Sequence, residues 1–219
     1  MSIQTRPQDT PQHAFPPASG GPLQVRSDDG PVAPVRGGRA ADLDAARVMD
    51  WWEGFRDQLL HRSQELREVG APLAEAAQVT TALLEKAGAV TPGDVFDAMA
   101  RGFVSVPGIP TLLATWFTEF TRSGARPVGT RELAEAARAG LVATQRAGAP
   151  APGRGSLLDA MVPAAEALAG AAVAGVPAMV ALQAGYRAAA DGCRATGERG
   201  FVDPGALAVA WFFERGTVV

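Results

Sequence analysis

The sequence predicts an all-α fold: a barrel or bundle of about eight amphipathic helices behind a disordered N-terminal tail. Three observations carry this. From Asp42 onward, apolar residues recur at three- and four-residue spacing, and no segment alternates as a strand would. Glycine and proline punctuate the pattern where helices should stop and start. Hydrophobic residues reach 47% with alanine foremost while aromatics are only 6%, so close helix–helix packing is expected rather than a large aromatic core.

The elements follow in order. Asp42 to Val69 sets Val48, Trp51, Trp52, Phe55 and Leu59 on one helical stripe. A second helix should run from about Pro72 to Ala87 and stop at Gly88. Thr91 before Pro92 marks the next start, with Val95, Phe96, Met99 and Phe103 inward. After Pro107-Gly108, the residues Leu112, Leu113, Trp116, Phe117 and Phe120 form another apolar face. Thr130 is expected to cap a helix reaching about Ala147, and Ser156 one reaching about Ala174. Pro177 opens a long helix ending near Arg194, and Asp203-Pro204 starts the last, which carries Leu207, Trp211 and Phe212.

Residues 1–40 read as a different polymer. Proline and glycine recur there among scattered polar residues, too little apolar surface to offset the entropy of ordering. The expected organisation is therefore a disordered Pro/Gly-rich tail over 1–40 and one helical domain over 41–219. A net charge of −3, with no basic stripe and no set of stacking aromatics, argues against nucleic acid as a partner. Met1 to Thr10 lacks the apolar run of a secretory signal, and a single cysteine, Cys193, rules out an internal disulfide. The default setting is cytoplasmic. Met161 to Leu182 is largely apolar, but Glu166, Pro163 and the break at Gly175-Val176-Pro177 make it two buried helices and not a membrane span.

Two segments stand out chemically. Pro152-Gly153-Arg154-Gly155-Ser156-Leu157-Leu158-Asp159-Ala160 and Gly197-Glu198-Arg199-Gly200-Phe201-Val202-Asp203-Pro204-Gly205-Ala206 each lead a glycine-bearing turn into a helix start. Unpaired backbone N–H groups and the helix dipole make such starts compatible with anions. Read for structure alone, both are ordinary capped helices, with Asp203 as cap and Pro204 at the first helical position. Asp159 reads as a first-turn acid of the kind that stabilises a helix start.

With those motifs on the page, the chain resembles the DhaL family, the nucleotide-binding L subunit of dihydroxyacetone kinase, whose members read approximately PGDKTMLDALxPA and later GERSxGHxDPGA. The likeness runs faintly from Asp42 to Phe213. It implies a barrel of about eight antiparallel helices with a nucleotide at one mouth, and a partner subunit, DhaK, that holds dihydroxyacetone covalently on a histidine. Carried over by position, Gly153, Arg194, Asp203, Pro204 and Gly205 would line the nucleotide mouth. The loop from Arg194 to Asp203 is shorter here than the family pattern.

The departures are specific. Aligned on Arg67-Glu68-Val69-Gly70, the three carboxylate positions that hold magnesium in the family fall on Leu66, Ala71 and Leu73. The family's GGxSG loop becomes Pro107-Gly108-Ile109-Pro110-Thr111, where Pro110 offers neither a hydroxyl nor an N–H. Arg154 and Gly155 stand where PGDKT has aspartate and lysine. Magnesium needs oxygen ligands, and a helix start supplies only about half a positive charge in its place.

The resemblance and its departures together imply a degenerate DhaL-like binding or regulatory module, with at most weak affinity for ADP or ATP and no magnesium. Its expected partner is a DhaK-like subunit or a second copy of itself. Two alternatives stay open: an active phosphate-donor subunit that uses Glu65, Glu68 or Glu75 for metal, and a structural interaction domain whose mouth is filled by Leu66, Leu73 and Pro110. No catalytic residue is assigned. His61 reads as an exposed helical histidine without a nucleophile beside it. Cys193 next to Arg194 is open to a lowered pKa but reads as a small structural residue.

Overall fold

A computed structural model of the protein describes residues 42–89, 91–197 and 201–219. The tail expected over 1–40 lies outside the described residues, as do Glu198, Arg199 and Gly200 of the second motif. Eight α-helices are described: α1 (Ala45–His61), α2 (Gly70–Ala87), α3 (Pro92–Val104), α4 (Ile109–Phe120), α5 (Thr130–Arg146), α6 (Leu158–Ala174), α7 (Ala178–Gly197) and α8 (Pro204–Gly216). Two 3-10 segments, Ser63–Val69 and Thr121–Ser123, join them, and the one β-bridge among the described residues pairs Leu43 with Val128.

Each helix packs on its neighbours in sequence, and α8 returns to pack on α1, so the set closes into a ring. Short connections make successive helices antiparallel. The connections that precede α2, α4, α6 and α8 therefore gather at one end of the barrel.

The expected stripe on α1 is buried in full: Val48, Trp51, Trp52, Phe55 and Leu59. Thr91 caps α3 with a reciprocal box, its hydroxyl accepting from the Asp94 N–H while Asp94 accepts from the Thr91 N–H at 2.9 Å. The α6–α7 break falls where glycine and proline put it, with Gly175 in the left-handed region (φ 65°) and its N–H and that of Val176 donating back into the last turn of α6. No helix among the described residues is long and apolar enough to cross a membrane.

The structure corrects four expectations. The first helix ends at His61, not Val69, because the chain passes into a 3-10 segment in which Arg67 leaves helical geometry altogether (φ 51°, ψ −129°). Thr130 is the first residue of α5, not its cap; its hydroxyl donates instead to the Val176 carbonyl of the α6–α7 connection. Ser156 sits one residue before the α6 cap position, Leu157, although its Oγ still accepts from the Leu158 N–H. The interior also holds a large aromatic cluster after all. Trp51, Phe55, Phe96, Phe103, Trp116, Phe117, Phe120, Phe212 and Phe213 form a continuous set of edge, tilted and stacked contacts with centroids 4.4 to 6.4 Å apart. The few aromatics of the chain are concentrated inward on α1, α3, α4 and α8, while α5 to α7 pack through alanine and glycine. The Trp51 indole N–H donates to the Phe212 carbonyl at 2.5 Å, fixing α1 to α8 inside this cluster.

Candidate functional site

Four connections meet at the end where the even-numbered helices begin, and both sequence motifs are among them. Before α2, Arg62 grips Glu65 with two contacts of 2.7 Å, donates to the Gln58 side-chain Oε1 at 2.8 Å, and lies 4.5 Å over the Trp211 ring. That pairing raises the Arg62 pKa and lowers that of Glu65. Leu66, next in line, has no exposed surface, and neither does Leu73 on α2. Between them Arg67 is the one non-glycine residue with positive φ among the described residues, a conformation that costs an arginine on the order of 1–3 kcal/mol. Burial of Leu66 and the close approach of Gly70 to the Ser63 carbonyl impose this reversal, and the Arg67 guanidinium ends 5.1 Å from the Phe201 ring centroid.

The glycine turn before α6 is organised by Asp159. Its carboxylate accepts N–H groups from Gly155 and Ser156, each at 2.9 Å, and from Gly153. Gly153 and Gly155 both adopt positive φ (84° and 72°), which lets their N–H groups converge on one acceptor. The donors that would meet an anion at this turn thus point to the protein's own carboxylate. The reach of Asp159 back to the Ser156 N–H follows the S-x-x-D spacing of a capping box, a signal present in the sequence that a generic first-turn reading misses.

At the start of α8, Asp203 accepts the Ala206 N–H at 2.7 Å, and its own N–H donates to Thr196 Oγ1 at 2.8 Å. A Cβ added at Gly205 would lie 3.2 Å from Leu157 Cβ and 3.6 Å from Ile109 Cδ1, so the starts of α4, α6 and α8 converge here. Burial raises the Asp203 pKa against the lowering effect of the Ala206 and Gly205 N–H groups, and the nearby acids Asp159 and Glu68 push it up further. Such a carboxyl holds its proton more tightly folded than unfolded. Its contribution therefore favours folding at low pH and is lost as pH rises from about 3.9, the unfolded value, through the raised folded one. Asp203→Asn keeps the capping oxygen and is expected to flatten this part of the stability–pH curve in urea melts from acid to neutral pH. Asp203→Ala should cost about 1 kcal/mol throughout by losing the cap.

Of the residues assigned to the mouth, Asp203, Pro204 and Gly205 form the α8 start, with Pro204 and Gly205 buried, and Gly153 sits in the Asp159 turn. Arg194 is exposed near the end of α7 and forms an ion pair with Asp191 one turn earlier on the same helix. Pro110 is buried in the first turn of α4. Cys193 is buried, and desolvation first and Asp203 second push its thiol up to about 11, against the lowering effect of Arg194; the alternative of a lowered pKa is overturned. His61 is exposed, with Nδ1 2.9 Å from the Asp57 carbonyl.

The positions aligned with carboxylates hold two fully buried leucines and an alanine, and Glu65 is engaged by Arg62. Among the described residues, no three His, Cys, Asp or Glu side chains are grouped to hold a metal ion. A cleft of about 420 Å³ lies elsewhere, between the end of α4 and the first half of α5, lined by Glu119, Arg122, Arg126, Glu132 and Arg138.

Comparison with known families gives a match between the DAK2 domain and residues 68–217. The chain belongs to the DAK2-domain family. This DAK2 domain is similar to the dihydroxyacetone kinase from C. freundii in complex with AMP-PNP and Mg2+, with a TM-score of 0.59 and 22% identity over 90% of this chain and 38% of that one. The native form of the C. freundii kinase gives a TM-score of 0.58 at 21% identity, over 85% and 37% of the two chains. The likeness establishes the fold, and this chain spans less than two fifths of the length of those chains. A search of curated protein sequences returns no match.

Proposed function

We propose that this DAK2 domain is a degenerate DhaL-like module that has lost magnesium-dependent phosphoryl transfer. It serves as a binding or regulatory subunit, with at most weak, metal-independent affinity for ADP or ATP. Its partner is a DhaK-like subunit or a second copy of itself, and its single, inert cysteine suits a reduced cytoplasmic setting. One observation supports this reading above the others: Leu66 and Leu73, at the positions aligned with metal-holding aspartates, are core residues with no exposed surface. A hydrocarbon side chain has no lone pair for a hard cation, and the charge that bridges and neutralises a transferring phosphoryl group is then missing. The N–H groups of the two helix starts are already engaged by Asp159 and Asp203, which leaves little to hold phosphates.

Calorimetric titration of the full chain with ADP, with and without magnesium, tests the proposal. Weak binding, unchanged by the metal, is the expected outcome. Tight binding that requires magnesium would establish a working phosphate-donor site instead, and no heat at all in a folded sample would leave only the interaction-domain reading.

A further inference from the structure

We propose that Arg67 supplies, in place of a metal ion, the positive charge that holds the phosphates of a nucleoside diphosphate at this mouth. This rests on the metal-free reading above and names the residue that performs it. Arg67 alone among the described non-glycine residues has positive φ, and at φ 51° and ψ −129° a glycine would fit without strain. Its neighbours hold the backbone reversed: Leu66 is fully buried, and Gly70 passes against the Ser63 carbonyl. The side chain is exposed, and its guanidinium lies 5.1 Å from the centroid of the Phe201 ring. Phe201 stands two residues before Asp203, the cap of α8. A strained backbone thus delivers a fixed cation to the α8 start, from a segment whose positions 66, 71 and 73 align with metal-holding carboxylates.

A guanidinium resting on a ring uses its face and keeps the N–H groups of its edge for an anion. Arg67 has no carboxylate partner among the described residues. Two other arginines of this end are taken, Arg62 by Glu65 and Arg194 by Asp191. Arg154, exposed in the turn before α6, also lacks an ion pair among the described residues, and the contact of Gly205 with Leu157 sets the start of α6 beside that of α8. Guanidinium groups on adjoining connections suit a diphosphate, whose oxygens accept their N–H groups in pairs. The carboxylates of Glu68, Asp159 and Asp203 at the same end oppose an anion, which keeps the affinity weak.

Calorimetric titration with ADP and no metal tests this on the wild type, Arg67→Gln and Arg67→Gly. Arg131→Gln, at the far end of the barrel, is the control. Glycine suits the backbone at position 67, so Arg67→Gly keeps the fold even where Arg67→Gln does not. Both Arg67 variants should weaken ADP binding about tenfold, and the control should leave it unchanged. Raising NaCl from about 20 to about 200 mM should weaken the wild type markedly and the Arg67 variants much less, a difference that a merely structural residue does not produce. Unchanged ADP affinity in both Arg67 variants overturns this inference and leaves the metal-free reading standing. Tight binding that requires magnesium, or no binding by the wild type, overturns both.

Discussion

Leu73→Asp should lower the unfolding free energy by about 5 kcal/mol or more, enough to abolish the folded state of a domain of ordinary stability. Two costs add. Truncating a fully buried leucine loses transfer energy and leaves a cavity, about 2–5 kcal/mol in measured series. The new carboxyl then sits in the hydrophobic core that holds Leu73, where it must either take a proton or stay charged without a partner. Stability of the variant should therefore recover partly as pH falls toward 5, the direction opposite to acid denaturation of a protein with paired carboxylates. The same substitution at an open metal-binding rim behaves differently: it costs little, and added magnesium raises the melting midpoint. Urea melts at several pH values, repeated with magnesium, separate the two.

Gly192→Ala should cost about 3 kcal/mol or more by forcing α7 away from α6. A Cβ at this position would overlap the backbone carbonyl of Asp159 and approach Pro163 Cγ to 3.0 Å. Neither is the end of a flexible side chain, so the helices must separate. The effect does not stop at packing, because Asp159 carries the carboxylate that gathers the N–H groups of Gly153, Gly155 and Ser156. Hydrogen exchange should therefore quicken at those amides as well as along α6 and α7. Loss of stability without faster exchange in the 153–156 turn would show that the turn is held by something other than its carboxylate.

Periodicity and punctuation made the helices legible. Trp51, Phe55 and Leu59 are buried as their spacing requires, and Thr91 and Asp203 cap where short polar residues precede proline. What stayed hidden depends on contacts between distant segments. Nothing in Ser63-Gln64-Glu65-Leu66-Arg67 shows that an arginine will take a backbone conformation suited to glycine; it does so because Leu66 must enter the core and Gly70 must pass Ser63. Thr130 has the chemistry of a cap and spends its hydroxyl on another connection. The aromatic core was underestimated because a low percentage conceals placement: nearly every ring points to the same interior. That positions 66, 71 and 73 are apolar was written in the sequence, but whether Leu66 and Leu73 line the opening or fill the core was not, since an apolar residue suits both.

Manganese, a paramagnetic stand-in for magnesium among oxygen-liganded divalent ions, offers the most direct measurement. On the proposed reading no side-chain oxygen completes the coordination of the ion, so the electron paramagnetic resonance signal of Mn2+ alone should be the same with and without an excess of the folded protein. A protein-dependent signal from immobilised manganese, removed by an excess of magnesium, would contradict the loss of the metal site.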